Sequence, residues 1–286
     1  MSALPTAPVG RITEFTRDGL VFDVVDEGPI DGEVVVLLHG FPERASCWRL
    51  VAPLLHAQGY RTVAPDQRGY SPRARPTRRR DYRTAELADD VAALIDVLGG
   101  RVHLVGHDWG AIVGWAVVAA HADRVRSWTS LSIPHPRAYL RSLVRSTQGL
   151  KSWYMLAFQV PAVPELLAAR PRGIFDRSLR GSGMSRDDVA RFREEIVDYG
   201  AFPGGVAYYR GLPFTDRRQT AARVTVPTTL VWSDGDDFVG RAGVDGTAAL
   251  VDADFELVVL AGVDHWIPTH APEAAAEAIL ERMATS

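Results

Sequence analysis

The strongest constraint on the fold is a five-residue turn, Gly106-His-Asp-Trp-Gly110, between a run typical of a β-strand and a run typical of an α-helix. The strand is predicted over residues 101–105 and the helix over residues 111–120. Glycines two positions before and two positions after Asp108 allow a very tight turn, as in a nucleophile elbow. This direct passage from strand to helix indicates an α/β fold, with Asp108 at the helix N-terminus.

Strand and helix patterns alternate along most of the remaining chain. Further strands are predicted at residues 11–16, 20–27, 34–38, 60–64, 125–133, 228–232 and 255–260. Further helices are predicted at residues 84–98, 241–251 and 272–283. Thr84 is the predicted N-cap of the first of these helices, and Gly99 its stop signal. Such alternation is typical of a mostly parallel, doubly wound sheet.

The alternation stops between the strands at residues 125–133 and 228–232. Residues 135–221 are rich in arginine and aromatic residues, with helical stretches but no pattern of a buried strand. We therefore predict an α/β core formed by residues 1–134 and 222–286, with residues 135–221 as a helical cap inserted after the sixth strand. The cap is not expected to be an independent domain. It would cover the carboxyl edge of the sheet, where open α/β sheets bind ligands.

Composition excludes several classes of partner. A net charge of −3 and an isoelectric point near 6.2 predict no binding to nucleic acid or membranes. Six arginines between Arg73 and Arg83 are interpreted as a solvated loop, because they lack interleaved aromatic residues apart from Tyr82. The single cysteine, Cys47, excludes an internal disulfide. With no signal peptide or long apolar segment evident, we expect a cytoplasmic protein.

A carboxylate at the elbow predicts a particular chemistry. Asp108 has a reference pKa of about 3.9, so it is an anion at neutral pH and needs no base to become a nucleophile. It is poorly suited to esters and amides, but well suited to an sp³ carbon bearing a halide or the strained oxygen of an epoxide. Attack would give an alkyl ester that water must cleave. The alternative is that Asp108 merely caps a helix.

Cleavage of that ester requires a base, an acid that orients the base, and an oxyanion hole. The predicted base is His265, in the loop after the last strand, with His270 as a weaker candidate. The predicted acid is Asp236, with Asp237 as the second choice. The expected oxyanion donors are the backbone N–H groups of Trp109, directly after the nucleophile, and of Phe41, directly after the first core strand.

The chain resembles the α/β-hydrolase-fold epoxide hydrolases over nearly its whole length. Four segments carry the resemblance: His39-Gly-Phe-Pro-Glu43, Pro65-Asp-Gln-Arg-Gly-Tyr70, Gly106-His-Asp-Trp-Gly110 and Gly262-Val-Asp-His-Trp266. These segments are shared with haloalkane and fluoroacetate dehalogenases. They therefore imply an α/β-hydrolase fold and an aspartate nucleophile without deciding the leaving group.

Two segments of the predicted cap resemble those that supply the paired tyrosines of epoxide hydrolases. The resemblance implies that Tyr154 and Tyr209 hold and protonate the epoxide oxygen, with Tyr208 as the alternative to Tyr209. The implied reaction converts a hydrophobic epoxide and water into a vicinal diol, and it requires neither a metal nor an organic cofactor. A homodimer is also possible, through aromatic side chains of the cap.

Two other functions compete with this interpretation. A dehalogenase would need N–H donors that hold a halide, and Trp109 and Trp153 are the candidates. Haloalkane dehalogenases commonly carry an asparagine or a cap tryptophan as the second donor, and Phe41 occupies the asparagine's position. Fluoroacetate dehalogenases typically have an arginine where this chain has Trp109. The third hypothesis is a non-catalytic protein that binds small molecules.

Overall fold

The computed structural model describes residues 10–216 and 222–286. Two segments lie outside the described residues. They are residues 1–9, where no signal peptide is expected from the sequence, and residues 217–221, at the end of the predicted cap. Eight strands form one sheet: β1 (Glu14–Arg17), β2 (Leu20–Glu27), β3 (Val34–Leu38), β4 (Arg61–Pro65), β5 (Val102–His107), β6 (Val125–Leu131), β7 (Thr228–Ser233) and β8 (Phe255–Leu260). Their order is β1-β2-β4-β3-β5-β6-β7-β8.

The sheet is parallel except at one edge. Strand β1 pairs with β2, and β2 with β4, in antiparallel fashion, whereas the pairs from β4 to β8 are parallel. The turn between β1 and β2 is the predicted Asp18-Gly19 hairpin, in which both residues have positive φ. The predicted α/β-hydrolase architecture is confirmed.

Helices cover both faces of the sheet and form the segment between β6 and β7. The core helices are α1 (Ala52–His56), α2 (Thr84–Leu98), α3 (Trp109–Ala120), α11 (Arg241–Asp245), α12 (Ile267–His270) and α13 (Pro272–Ala284). Between β6 and β7 lie α4 (Pro136–Arg145), α5 (Gln148–Lys151), α6 (Tyr154–Ala157), α7 (Val163–Ala168), α8 (Ile174–Gly181), α9 (Arg186–Phe192) and α10 (Phe202–Gly211). A π-helical turn, Arg193–Asp198, follows α9. The exact limits of the cap remain a prediction.

The central strands are buried on both faces, as the apolar run at residues 34–38 indicates. Val36 and Leu38 of β3 pack with α2 and α3 on one face. Val35 and Leu37 pack with α1 and α13 on the other. Since successive side chains of a strand point to opposite faces, both sets must be apolar. This placement fixes the carboxyl end of β3 beside that of β5, with Leu38 paired to Gly106.

Two local predictions were wrong, and one short helix was not predicted. Thr84 is the first residue of α2 rather than its N-cap, because the extended backbone ends at Arg83. The helix predicted at residues 241–251 ends at Asp245, since Gly246 is a poor helix former and a short 3₁₀ turn follows at Ala248–Leu250. The five-residue helix α1 was missed because it is too short to show a helical period. Gly99 does end α2, with φ of 78°.

The four loops that carry the predicted catalytic residues meet at one edge of the sheet. Asp108 follows β5, Phe41 follows β3, Asp236 follows β7 and His265 follows β8. Parallel strands bring their carboxyl ends to the same edge, so these loops become neighbours despite their separation in sequence. In the part of the chain that the structure describes, no helix is both long and apolar enough to cross a membrane.

Candidate active site

The turn at Asp108 is tight enough to require glycine on both sides. Asp108 has φ of 50° and ψ of −118°, a backbone conformation that non-glycine residues rarely adopt. A Cβ atom on Gly106 would lie 2.5 Å from the carbonyl oxygen of Gly110. One on Gly110 would lie 2.1 Å from the carbonyl oxygen of Leu38. Such a strained backbone conformation persists only where the surrounding packing holds it, and residues of this kind are common at functional sites.

Two groups contact the two oxygens of the Asp108 carboxylate. The Phe41 N–H donates to Oδ1 at 2.7 Å. His265 Nε2 lies 3.5 Å from Oδ2. Burial favours the neutral carboxyl, but the hydrogen bond and charge of His265 outweigh it and lower the pKa of Asp108 below its ordinary value. Asp108 is therefore an anion at neutral pH, with one oxygen on a backbone donor and the other near the imidazole.

His265 is held by Asp236 and not by Asp237. The Nδ1 atom of His265 lies 2.7 Å from Oδ2 of Asp236. The other oxygen of Asp236 accepts the N–H groups of Phe238 at 2.7 Å and Val239 at 2.9 Å. Asp236 is buried, whereas Asp237 is exposed to solvent. The buried, fully hydrogen-bonded carboxylate fixes the orientation of the imidazole, with Nε2 directed at Asp108.

The two carboxylates determine the protonation of His265. Burial favours the neutral imidazole, but the charges and hydrogen bonds of Asp236 and Asp108 outweigh it and raise the pKa of His265 to about 10. The imidazole is therefore cationic at neutral pH while Asp108 carries its charge. Esterification of Asp108 would remove one of the two charges, so the pKa of His265 would fall and the imidazole would become available as a base.

Tyr154 and Tyr209 face Asp108 across a cavity of about 420 Å³. Their ring centroids are 5.9 Å apart, and the ring of Tyr209 lies 4.9 Å from that of Trp109. Burial raises the pKa of both tyrosines well above the ordinary value, so both hydroxyls are protonated at neutral pH. Two O–H donors and one carboxylate thus line the same space.

The neighbouring tyrosine points elsewhere. Tyr208 packs between the rings of Tyr70, Tyr82 and Trp109 and does not line the cavity. Adjacent residues of a helix project about 100° apart, so only one of the two can face Asp108. The position of α10 makes that residue Tyr209.

The remaining candidates lie away from Asp108 or outside the cavity. His270, the last residue of α12, pairs with Asp264 and Asp188 and is exposed. Trp153, the possible halide donor, has 67% of its surface exposed and does not line the cavity. The ring of Phe41 is also outside the cavity lining, although its backbone N–H reaches Asp108.

Neither Glu43 nor His107 was predicted to be catalytic, and His107 was expected to be structural; both lie close to His265. Burial raises the pKa of Glu43 to about 7, and its Oε2 lies 3.7 Å from His107 Nδ1. The other ring nitrogen of His107 lies 2.9 Å from the backbone carbonyl oxygen of His265. An acidic residue inside an otherwise buried motif, His39-Gly-Phe-Pro-Glu43, was the available signal.

The cavity wall is mostly apolar, and its composition was not predicted. Its side chains away from the catalytic groups include Ile112, Trp115, Ile133, Tyr139, Leu140, Leu143, Met155 and Leu212. These residues come from α3, β6 and its following loop, α4, α6 and the end of α10. No periodic pattern in the sequence could identify them, because they meet only through packing of the cap on the core.

Comparisons with known proteins identify the fold and the family of this chain. Residues 33–269 match the alpha/beta hydrolase fold family. The chain is 31% identical to Epoxide hydrolase A of Mycobacterium tuberculosis, over 96% of this chain and 97% of that protein. It is 33% identical to Epoxide hydrolase 3 of Xenopus tropicalis, over 89% of this chain and 72% of that protein. The crystal structure of epoxide hydrolase VrEH1 from Vigna radiata superposes with a TM-score of 0.79 and 30% identity, covering 96% of this chain and 97% of that one.

Proposed function

The chain belongs to the α/β-hydrolase-fold epoxide hydrolase family, and from this premise we propose that it converts an epoxide and water into a vicinal diol through an ester on Asp108. One observation carries the assignment of residues: the nucleophile at the elbow, Asp108, lines the same cavity as the two cap tyrosines, Tyr154 and Tyr209. A nucleophile for carbon and proton donors for oxygen are what opening of an epoxide ring requires.

In the first step, Asp108 attacks one carbon of the epoxide and the bond from that carbon to oxygen breaks. The oxygen leaves with the electron pair and takes a proton from Tyr154 or Tyr209, while the second tyrosine donates a hydrogen bond. A tyrosine with a raised pKa is a suitable donor, because it is protonated before the alkoxide forms and is a stronger acid than an alcohol. The product is a hydroxyalkyl ester of Asp108 beside a tyrosinate.

In the second step, the change of charge on Asp108 activates His265. The neutral ester no longer stabilises the imidazolium, so His265 releases its proton, which neutralises the tyrosinate through solvent. The neutral imidazole then removes a proton from water, and the resulting hydroxide attacks the carbonyl carbon of the ester. The Phe41 N–H, already 2.7 Å from Oδ1, and the Trp109 N–H stabilise the oxyanion. Collapse of the tetrahedral intermediate breaks the bond between the acyl carbon and the alkyl oxygen, and the departing alkoxide takes the proton of the added hydroxyl group. The diol then leaves, with the Asp108 carboxylate and the His265 cation restored.

A dehalogenase is the main alternative with the same nucleophile. It would need side-chain N–H donors for the halide, and only one of the two candidate tryptophans, Trp109, lines the cavity. That reaction would not need the two tyrosine hydroxyls. A non-catalytic binding protein would not need a buried acid that orients His265.

Replacement of the tyrosines distinguishes these functions. We expect the wild-type protein to form a diol from styrene oxide and to release little bromide from 1-bromobutane. The double variant Tyr154→Phe/Tyr209→Phe should lose diol formation by about 10²–10⁴-fold, because both proton donors are removed. Tyr208→Phe is the matched control and should retain activity, since its ring packs outside the cavity.

Two results would contradict the proposal. Bromide release that survives the loss of both tyrosines would identify a dehalogenase. Folded protein without turnover of a panel of epoxides and haloalkanes would favour the non-catalytic alternative.

The choice between Asp236 and Asp237 is tested by a pair of isosteric substitutions. We expect Asp236→Asn to lower kcat for styrene oxide by about 10²-fold or more, because an amide cannot both orient the imidazole and stabilise its cation. Asp237→Asn should change kcat little, because Asp237 is exposed. Equal loss of activity in the two variants, measured as steady-state diol formation, would reject this assignment of the acid.

The apolar wall supports a hydrophobic epoxide as substrate. A cytoplasmic location and a role in detoxification are consistent with such an activity and remain predictions, as does the possible homodimer.

A further inference from the structure

A cluster of phenylalanine rings extends from Phe41, whose backbone N–H contacts the Asp108 carboxylate. The members of this phenylalanine cluster are Phe41, Phe158, Phe175, Phe192 and Phe202. The centroid of the Phe41 ring lies 5.6 Å from those of both Phe158 and Phe202. It lies 6.3 Å from that of Phe175. Because the backbone of Phe41 contacts Asp108, this packed group begins directly beside the nucleophile.

The cluster is tightly packed and is separated from the cavity by Tyr209. A Cβ atom on Gly205 would lie only 2.6 Å from Cδ2 of Phe41, so no space remains on that side of the ring. The ring of Tyr209 lies 5.5 Å from Phe41 and 4.8 Å from Phe158. Tyr209 also lines the cavity, whereas none of the five phenylalanines does. The cavity that Asp108 lines therefore does not extend into the phenylalanine cluster.

The cavity extends from Asp108 in the other direction. Trp115, Ile133 and Leu143 line its apolar interior. Leu140 also lines it and is 51% exposed, so the cavity reaches the surface at α4. The cavity therefore links the nucleophile to solvent through a mostly apolar space.

The shape of the cavity restricts whether one or both carbons of the epoxide ring can carry a chain. The substituents on the two ring carbons of a trans-disubstituted epoxide point in opposite directions. An epoxide held between Asp108 and the two tyrosine hydroxyls would direct one such substituent into the cavity and the other toward the phenylalanine cluster. A terminal epoxide has a carbon substituent on one ring carbon only, so it needs space on one side only.

We propose that the substrate is a terminal epoxide with a single large apolar substituent that occupies the cavity, and that the phenylalanine cluster excludes epoxides carrying chains on both carbons. This inference rests on the proposed function, since it concerns the same nucleophile and the same tyrosines. It assigns Phe41 and Phe158 as residues that determine specificity through their rings.

Two isomers of one formula provide the test. The wild-type protein is assayed with 1,2-epoxydecane and with trans-5,6-epoxydecane, which have equal numbers of carbons and differ in the position of the epoxide. We expect kcat/KM to favour the terminal isomer by about 100-fold or more, because the second chain of the internal isomer has no space. A preference below about tenfold would overturn the proposal.

Two phenylalanine variants test whether the phenylalanine cluster causes the preference for the terminal isomer. Phe158→Ala should raise the relative kcat/KM of the internal isomer by about tenfold, because it opens space next to both Phe41 and Tyr209. Phe192→Ala is the matched control: its ring packs on Phe175 at 5.4 Å and Phe202 at 6.2 Å, away from the nucleophile. It should leave the preference unchanged.

Thermal unfolding establishes that each variant is folded, and Phe175→Ala provides a second opening beside Phe41 if Phe158→Ala does not fold. An unchanged preference in a folded variant of this kind would overturn the proposal. Hydrolysis of styrene oxide without hydrolysis of either decane epoxide would also overturn it, leaving the epoxide hydrolase activity intact. Turnover of no epoxide at all would instead contradict the proposed function.

Discussion

The variant His265→Gln is expected to open one epoxide per protein molecule and then to stop at the ester. Ring opening needs Asp108 and the tyrosines, whereas hydrolysis of the ester needs a base that glutamine cannot provide. Steady-state diol formation should fall by about 10²–10⁴-fold, the usual contribution of a general base. His270→Gln is the matched control five residues further along the chain, because His270 pairs with Asp264 and Asp188 rather than with Asp108.

Intact-protein mass spectrometry would measure this result directly. We expect the mass of His265→Gln to increase by that of one styrene oxide, and peptide mapping to locate the addition at Asp108. In the wild-type protein, a single turnover in ¹⁸O-labelled water should place the label in Asp108, since water attacks the carbonyl carbon of the ester. Turnover of His265→Gln at the wild-type rate would refute the scheme.

The second large effect is expected from Asp108→Asn. An amide is not a nucleophile toward carbon, so diol formation should fall by at least about 10⁵-fold, as for other removed nucleophiles. No ester should form in any amount that mass spectrometry detects. Residual activity within tenfold of wild type would mean that another group, or water attacking directly, opens the epoxide.

The same variant tests the electrostatic link between the two steps. Asparagine at position 108 is neutral, like the ester, so the pKa of His265 should fall from about 10 toward its ordinary value. The imidazole would then lose its proton at a lower pH than in the wild-type protein, which an NMR titration of the His265 ring would detect. An unchanged pKa would mean that Asp236 alone stabilises the cation, and that esterification does not activate the base.

Local sequence was sufficient to predict the elbow and the order of the catalytic loops. The two glycines around Asp108 permit the tight turn because a Cβ atom at either position would clash with the backbone, and an apolar run such as residues 34–38 is compatible only with a deeply buried element. His265 was predictable because it follows the last strand of a parallel sheet. Each of these features depends on steric limits or on a period within a short stretch of chain.

The sequence left two neighbouring residues as candidates for the same role in two cases. Asp236 and Asp237 are chemically identical, and the structure distinguishes them because only Asp236 is buried against two backbone N–H groups. Tyr208 and Tyr209 differ by one position on α10, and the rotation of that helix directs only Tyr209 into the cavity. In both cases the deciding contacts come from distant parts of the chain.

The sequence by itself therefore determined the α/β-hydrolase architecture, the carboxylate at the elbow and the set of residues from which the site is built. Only the tertiary structure decided which acid lies beside His265, which tyrosine lines the same cavity as Asp108, and which apolar side chains complete that cavity. The physical reason is that chain periodicity and turn sterics are local, whereas burial, charge stabilisation and cavity shape arise from packing the cap helices on the carboxyl edge of the sheet.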